Sequence, residues 1–306
     1  MNLGASNDSP SRRQVVLFLV LSFAFAWVIA GAFSLLGGRW NTPAAVPVGV
    51  VVMFTPLAAT LIVQKLIRRR PLRELGLSFR LNWWWLAAWL GPPAAAFATI
   101  GVSLLLPVVE YAPGMEGMFE RFATMMSPEQ MAAMKDSIPN LPAHPIWLTL
   151  GQALVAGLTV NALAGFGEEV GWRGFLYRGL APLGFWRSSL LTGFIWGIWH
   201  APLILQGHNY PDHPVAGVAM MTAWCVLLGP PFAFIRARTG SVIAASVFHG
   251  VLNASAGIAL MVVRGGSDLI VGLTGLAGFI VLAAVNLALV FTVRRGRPLK
   301  DAPVPG

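Results

Sequence analysis

Residues 14–38 read QVVLFLVLSFAFAWVIAGAFSLLGG, a run without one charged side chain. At a rise of 1.5 Å per residue, such a run is long enough as a helix to cross a hydrocarbon core of about 30 Å. Seven further apolar stretches follow, near residues 46–67, 83–107, 146–166, 188–206, 215–235, 240–263 and 269–293. The whole chain has the same character, with 56% of its 306 residues hydrophobic and 11% charged, where soluble domains carry roughly 25% charged residues. A water-soluble core of this size cannot hide so much apolar surface, so the bilayer acts as solvent for most of the chain. The expected fold is all-α, a polytopic transmembrane bundle of eight helices.

The net charge of +9 suggests nucleic acid only until its distribution is read, because the basic residues lie in short loops between apolar stretches. With a cytoplasmic N-terminus, Arg12, Arg13, Lys65, Arg68, Arg69, Arg70, Arg73 and Arg80 fall on the cytoplasmic side, as do Arg173, Arg178, Arg187, Arg236, Arg238, Arg294, Arg295, Arg297 and Lys300. That is 17 of the 21 Lys and Arg residues; Arg39, Arg121, Lys135 and Arg264 fall outside. Such a bias is what the positive-inside rule expects of eight crossings with both termini cytoplasmic.

Residues 14–293 read as one transmembrane domain, with disordered tails at 1–13 and 294–306, the second of them basic. The one sizeable hydrophilic insert spans 108–145 on the outer side, and within it Met115 to Lys135 reads as an amphipathic helix or a lid. Ser11-Arg12-Arg13 before an apolar run resembles a twin-arginine export signal, but that reading predicts a soluble mature protein, and the later apolar stretches contradict it. The single cysteine, Cys225, lies in an apolar stretch and reads as a packing residue. Trp83-Trp84-Trp85 reads as an interfacial anchor. His144, His208 and His213 lie in outer loops and read as solvated.

Ionisable groups at membrane depth cost at least about 2.5–3.5 kcal/mol each on insertion scales, so they mark function by default. Glu168, Glu169, Arg173, His200 and His249 are such groups, and Asn253 accompanies them. If Arg178, Arg187 and Arg238 mark the cytoplasmic boundary, Glu168, His200 and His249 lie about 15, 20 and 16 Å deep by helix rise. Three helices thus bring a carboxyl and two imidazoles to one level. Glu169 and Arg173 are four residues apart and suit an ion pair on one helix face, as His249 and Asn253 suit a shared cavity. Trp196 and His200 also share a face, where the indole can shield the site or stack on a substrate. Adjacent residues project about 100° apart, so Glu168 and Glu169 need different partners, Arg173 for Glu169 and the histidines for Glu168.

A buried carboxylate with two imidazoles suits the activation of water. Glu168 then serves as general base, His200 orients the water, and His249 with Asn253 holds the developing oxyanion. Equally, Glu168, His200 and His249 have the composition of a His₂Glu zinc site. Spacing leaves both open. No serine, cysteine or threonine stands out as a nucleophile beside a base.

Glu168-Glu169-Val170-Gly171-Trp172-Arg173 matches EExxxR, Trp196-Gly197-Ile198-Trp199-His200 approximates FxxxH, and His249-Gly250-Val251-Leu252-Asn253 matches HxxxN. In this order the motifs, within a core of about residues 146–258, resemble the CPBP family of CAAX proteases and bacteriocin-processing (Abi) enzymes, which includes the Ras-converting CAAX endoprotease. Leu72-Arg73-Glu74-Leu75-Gly76-Leu77 is similar to a feature of its bacterial members. The resemblance implies an intramembrane endopeptidase, in a bacterial inner membrane, acting on membrane-tethered peptides such as prenylated or bacteriocin-type precursors. It implies catalytic roles for Glu168, His200, His249 and Asn253 and support from Glu169 and Arg173, and it leaves a zinc ion and a metal-free glutamate mechanism both open. The departure from the pattern is Trp196, where the family has phenylalanine; a changed pocket shape is expected.

Blander readings compete with these. Glu169–Arg173 can be a structural ion pair, His200 a packing histidine and Asn253 interhelical glue. Glu and His chains also relay protons in carriers, although no internal repeat of the carrier type is visible here. A non-catalytic immunity or scaffold protein of the same fold is the third reading.

Overall fold

Apolar side chains dominate every long helix on all sides, so what distinguishes an inward face is size and polarity rather than hydrophobicity. In the computed structural model, which describes residues 9–40, 42, 44–123 and 126–295, helix α1 (Arg12–Leu35) shows this directly. Val15, Phe18, Ser22, Ala26 and Ala30 form its buried stripe, while Val16, Val20 and Val28 point outward. Ser11 caps α1 in a reciprocal pair with Gln14, so the helix starts ahead of the apolar run. Most of both expected tails lies outside the described residues.

The second apolar stretch is helical throughout, as α2 (Ala45–Met53), α3 (Thr55–Thr60) and a π-helical turn over Leu61–Ile67. After a loop containing Leu72–Leu75 comes α4 (Trp84–Ser103), which carries Pro92 and Pro93 in its interior; neighbouring helices make such prolines tolerable in membranes.

Within the hydrophilic insert, Met115 to Lys135 does not form one continuous amphipathic helix. The insert holds a short strand β1 (Val109–Tyr111) and two short helices, α5 (Glu116–Phe122) and α6 (Pro128–Ser137). No residue of α6 is buried. The insert is tied down because β1 pairs antiparallel with β2 (Val263–Gly265), far onward in the chain beyond the last motif, and Arg121 donates to the carbonyls of Val263 and Gly265.

The fourth apolar stretch is also not one straight helix. α7 (Pro145–Ala156) ends at Gly157 and α8 (Val160–Glu169) begins after Thr159. The chain then continues through a π-helical segment, Val170–Leu176, into α9 (Tyr177–Leu180), so the anchor at Arg178 is reached helically from Glu168. α10 (Gly184–Trp199) stops at His200, and α11 (Ala201–Leu205) restarts with Pro202 in its first turn. α12 (Pro214–Thr239), α13 (Val242–Ser255), α14 (Ile258–Met261) and α15 (Leu276–Arg295) complete the bundle.

Among the described residues six helices are long and apolar enough to cross a membrane, and there is a seventh span if α7 and the helices from Val160 to Trp199, bent by 55° at their junction, count as one. Each of the eight apolar stretches contains helix, although the eighth becomes helical only at Leu276, and the fourth and fifth are shorter and more broken than uniform spans. The fold is a helical bundle, 74% helix with almost no sheet.

α13 sits at its centre, packed against α4, α7, α8 and α12, while α10 lies along α12. Two glycines set those distances. A Cβ at Gly250 would meet the backbone of Ala162 and Asn161, and one at Gly193 would meet the Cys225 carbonyl and Val226 Cα, so α13 and α8, and α10 and α12, touch backbone to backbone.

At one end the loop over residues 72–78 knits the bundle together. Arg178 donates to the Glu74 carbonyl, Arg236 to that of Leu75, Val242 N–H to that of Gly76, and the Ser241 hydroxyl to that of Ser78. Gly76 has φ +90 and lies under the Arg236 guanidinium, so a side chain fits neither the backbone nor the space. The basic residues from Arg68 to Arg80 therefore gather with Arg178, Arg236 and Arg238 at one end. Arg39, Arg121 and Arg264 lie toward the other, where Trp40 donates to Gln206 and His213 meets Asp268.

Candidate active site

Glu168 and Glu169 close α8 and face α13 because Gly165, one turn earlier, lets the helices approach; a Cβ there would lie 3.0 Å from that of His249. His249 Nδ1 lies 2.8 Å from Glu169 Oε1, and Arg173 Nη1 lies 3.0 Å from the same oxygen. All three groups are buried. A carboxylate only accepts, so His249 carries a proton on Nδ1, and when the ring is neutral its Nε2 presents a lone pair to the site. That Nε2 lies 3.9 Å from Glu168 Oε1. This separation is too long for a hydrogen bond.

The other oxygen of Glu168 is committed. Oε2 accepts from Trp196 Nε1 at 2.6 Å and from Trp172 Nε1 at 3.3 Å. Two indole N–H groups from different helical segments thus fix the carboxyl plane and leave Oε1 toward His249. Trp196 serves His200 as well, since its carbonyl accepts from His200 Nδ1 at 2.8 Å. A carbonyl cannot donate, so neutral His200 also presents a bare Nε2. Its ring is held edge-on by Trp199, 4.8 Å between centroids. His200 occupies the junction of α10 and α11 because Pro202 interrupts the helical hydrogen bonding there.

Arg173 is sandwiched between aromatic rings, its guanidinium carbon 4.0 Å from the Phe232 centroid and 4.6 Å from that of Trp196. Trp196 and Phe232 also wall the His249 ring, each at 5.6 Å. The backbone carbonyl of Arg173, in the π-helical segment where regular hydrogen bonding is broken, accepts from Arg236 Nε at 3.1 Å. Glu169 Oε2 and Arg173 Nη2 are buried without partners among the described residues, which is unusual outside functional sites.

The structure therefore brings together Glu168, Glu169, Arg173, His249 and Trp196, and joins His200 to them through Trp196. Asn253 lies one turn beyond His249 on α13, but its side chain is exposed and makes no hydrogen bond among the described residues. Trp172 and Phe232 are members that the sequence reading passed over. Trp172 carried a usable signal, being four residues from Glu168; Phe232 carried none, since its contact is purely tertiary.

The donor chemistry of Glu168, His200 and His249 is that of a His₂Glu set. Their spacing is not: among the described residues no three His, Cys, Asp or Glu side chains gather closely enough to hold a metal ion. Of the outer histidines, His208 departs from the solvated reading, because its ring packs 5.5 Å from that of Trp40. His144 caps α7 and bonds to the Pro113 carbonyl.

Residues 149–255 match the family model described as Type II CAAX prenyl endopeptidase Rce1-like. A stretch of 49 residues is 39% identical to CAAX prenyl protease 2 of Methanococcus maripaludis, covering 16% of this chain and 18% of that protein. Every polar group just described from Glu168 to Asn253 lies inside the matched segment, and over that segment the chain is similar in sequence to the Rce1-like CAAX prenyl endopeptidases.

Proposed function

We propose that the chain is an intramembrane endopeptidase that cleaves membrane-associated, CAAX-like or bacteriocin-type peptides by direct attack of water. One observation carries this reading: the 3.9 Å between Glu168 Oε1 and His249 Nε2. A substrate water bonded to both at about 2.8 Å each spans that separation. It gives one hydrogen to Glu168 Oε1 and the other to the Nε2 lone pair, leaving an oxygen lone pair free for a carbonyl carbon. Glu168 takes the proton as the C–O bond forms and passes it to the departing amine as the C–N bond breaks.

Glu169 and Arg173 act by position. Glu169 fixes the tautomer and orientation of His249, and Arg173 balances its charge. Because both neutral imidazoles present acceptors, the Asn253 amide is the proposed donor to the oxyanion, an arrangement that needs only a side-chain rotation one turn from His249. In this reading the bundle is a single domain in a bacterial membrane, with its basic end, including Arg68 to Arg80, facing the cytoplasm. The test is hydrolysis of a quenched fluorescent peptide by purified protein in lipid nanodiscs. Glu168→Gln and His249→Ala each abolish turnover while leaving the helical content unchanged; full activity in either variant refutes the assignment.

A further inference from the structure

A cavity of about 210 Å³ lies between α4, α12, α13 and α15, lined by Ala95, Leu228, Pro231, Phe234, Phe248 and Leu289 among others. It is separate from the carboxylates. Phe248 packs on Phe232 at 4.7 Å, and Phe232 in turn meets His249 and Arg173 on the site side. Val285, an exposed residue of α15, forms part of the cavity rim, so the cavity communicates with the lipid-facing surface.

The lining along α12 runs from Trp224 to Ile235, about 16 Å of helix axis. The apolar lining therefore extends along the helix for a length that matches part of a hydrocarbon chain. At its end nearest the basic loops stands Arg238. Its guanidinium lies 5.0 Å from the ring of Phe234, a lining residue, and 5.3 Å from that of Trp84. The two rings hold the cation but supply no acceptor, and among the described residues no carboxylate or carbonyl bonds to its side chain; Nε is buried without a partner.

A fixed, uncompensated guanidinium at the headgroup level above an apolar channel is complementary to one class of molecule. We propose that this is a phospholipid site, with the phosphodiester on Arg238 and one acyl chain in the channel. Guanidinium suits phosphate through paired N–H donors, and the bilayer presents phosphate at the depth of the basic loops.

The test uses the full chain in detergent micelles titrated with phosphatidylglycerol and read by native mass spectrometry. A second measurement uses phosphatidylglycerol bearing a diazirine in its acyl chain. One saturable adduct is expected, with the label on α12 and α15 residues that line the channel. Arg238→Gln weakens binding roughly tenfold or more, as loss of charge-assisted hydrogen bonds implies. Ala95→Phe, which fills the channel and keeps the cation, removes the label from the lining; if that variant does not fold, Arg238→Gln alone decides. Unchanged adduct formation in Arg238→Gln, or label spread equally over Val16, Val20 and Val28 of α1, overturns the proposal. Neither measurement reads hydrolysis, so its failure leaves the proposed reaction standing.

Discussion

Replacing Trp196 by phenylalanine gives this chain the residue of the motif it resembles, and tests whether the indole N–H matters here. The substitution removes a 2.6 Å bond to a buried carboxylate oxygen. Hydrogen bonds to charged groups contribute about 1.5–3 kcal/mol, so an equal loss in the transition state lowers kcat/KM roughly 10- to 150-fold. The remaining donor, Trp172, is longer at 3.3 Å and holds only one edge of the carboxyl, so Oε1 is free to swing away from His249. The aromatic face under Arg173 survives in phenylalanine, although it is a weaker partner for a cation; Phe232, at 4.0 Å, keeps the other side of the sandwich. The fold loses the same buried bond, so a stability cost of about 1.5–3 kcal/mol accompanies the catalytic one. The assay is steady-state peptide hydrolysis in nanodiscs beside a thermal melt of the same sample. Wild-type kcat/KM in Trp196→Phe refutes the claim that the indole positions Glu168, and a fall in melting temperature without a fall in kcat reassigns the residue to packing.

Other expectations follow from the same geometry. Trp172→Phe lowers kcat/KM less than Trp196→Phe does, because the bond removed is 3.3 Å long rather than 2.6 Å; the reverse order in the same assay refutes the ranking. Arg173→Met strands Glu169 in the bundle interior and destabilises the fold by about 3–5 kcal/mol, read by denaturant unfolding in mixed micelles, whereas an unchanged midpoint shows the pair to be dispensable. Asn253→Ala lowers kcat by about 10²–10³-fold, the usual cost of one oxyanion donor, while leaving the melting temperature within a degree or so of wild type because the side chain is exposed. Gly250→Leu prevents the contact of α13 with α8 and abolishes both folding yield and activity; a stable, active variant contradicts the backbone-to-backbone packing.

The bundle was legible in the sequence wherever a property depends on helix geometry alone. Runs such as 14–38 announce their helices, and the constant rise per residue brought Glu168 and His249 to one level before any contact was known. The Glu169–Arg173 spacing likewise implied the ion pair that forms. What depends on tertiary context was not legible. Nothing in residues 157–159 announces the break between α7 and α8, and β1 pairs with a partner far onward in the chain, a contact no local pattern encodes. Trp196 read as a shield or stacking surface because its hydrogen-bond direction depends on the rotamer and the neighbouring helix. Asn253 shares a helical face with His249 by spacing, yet the bundle ends its cover between them and leaves the amide exposed.

The π-helical segment over Val170–Leu176 has a consequence for how the two ends of its helix are oriented. An additional residue in one turn offsets everything after it by about 100° relative to an unbroken α-helix. The carboxyls before the segment and Arg178 after it are therefore out of phase, and each meets its own partner, His249 on one side and the Glu74 carbonyl on another. Deleting one residue from the segment would restore a regular helix and bring the two ends back into phase, so that no single rotation could satisfy both. The widened turn acts as a mechanical offset coupling, setting the angle of the chemistry independently of the angle of its anchor.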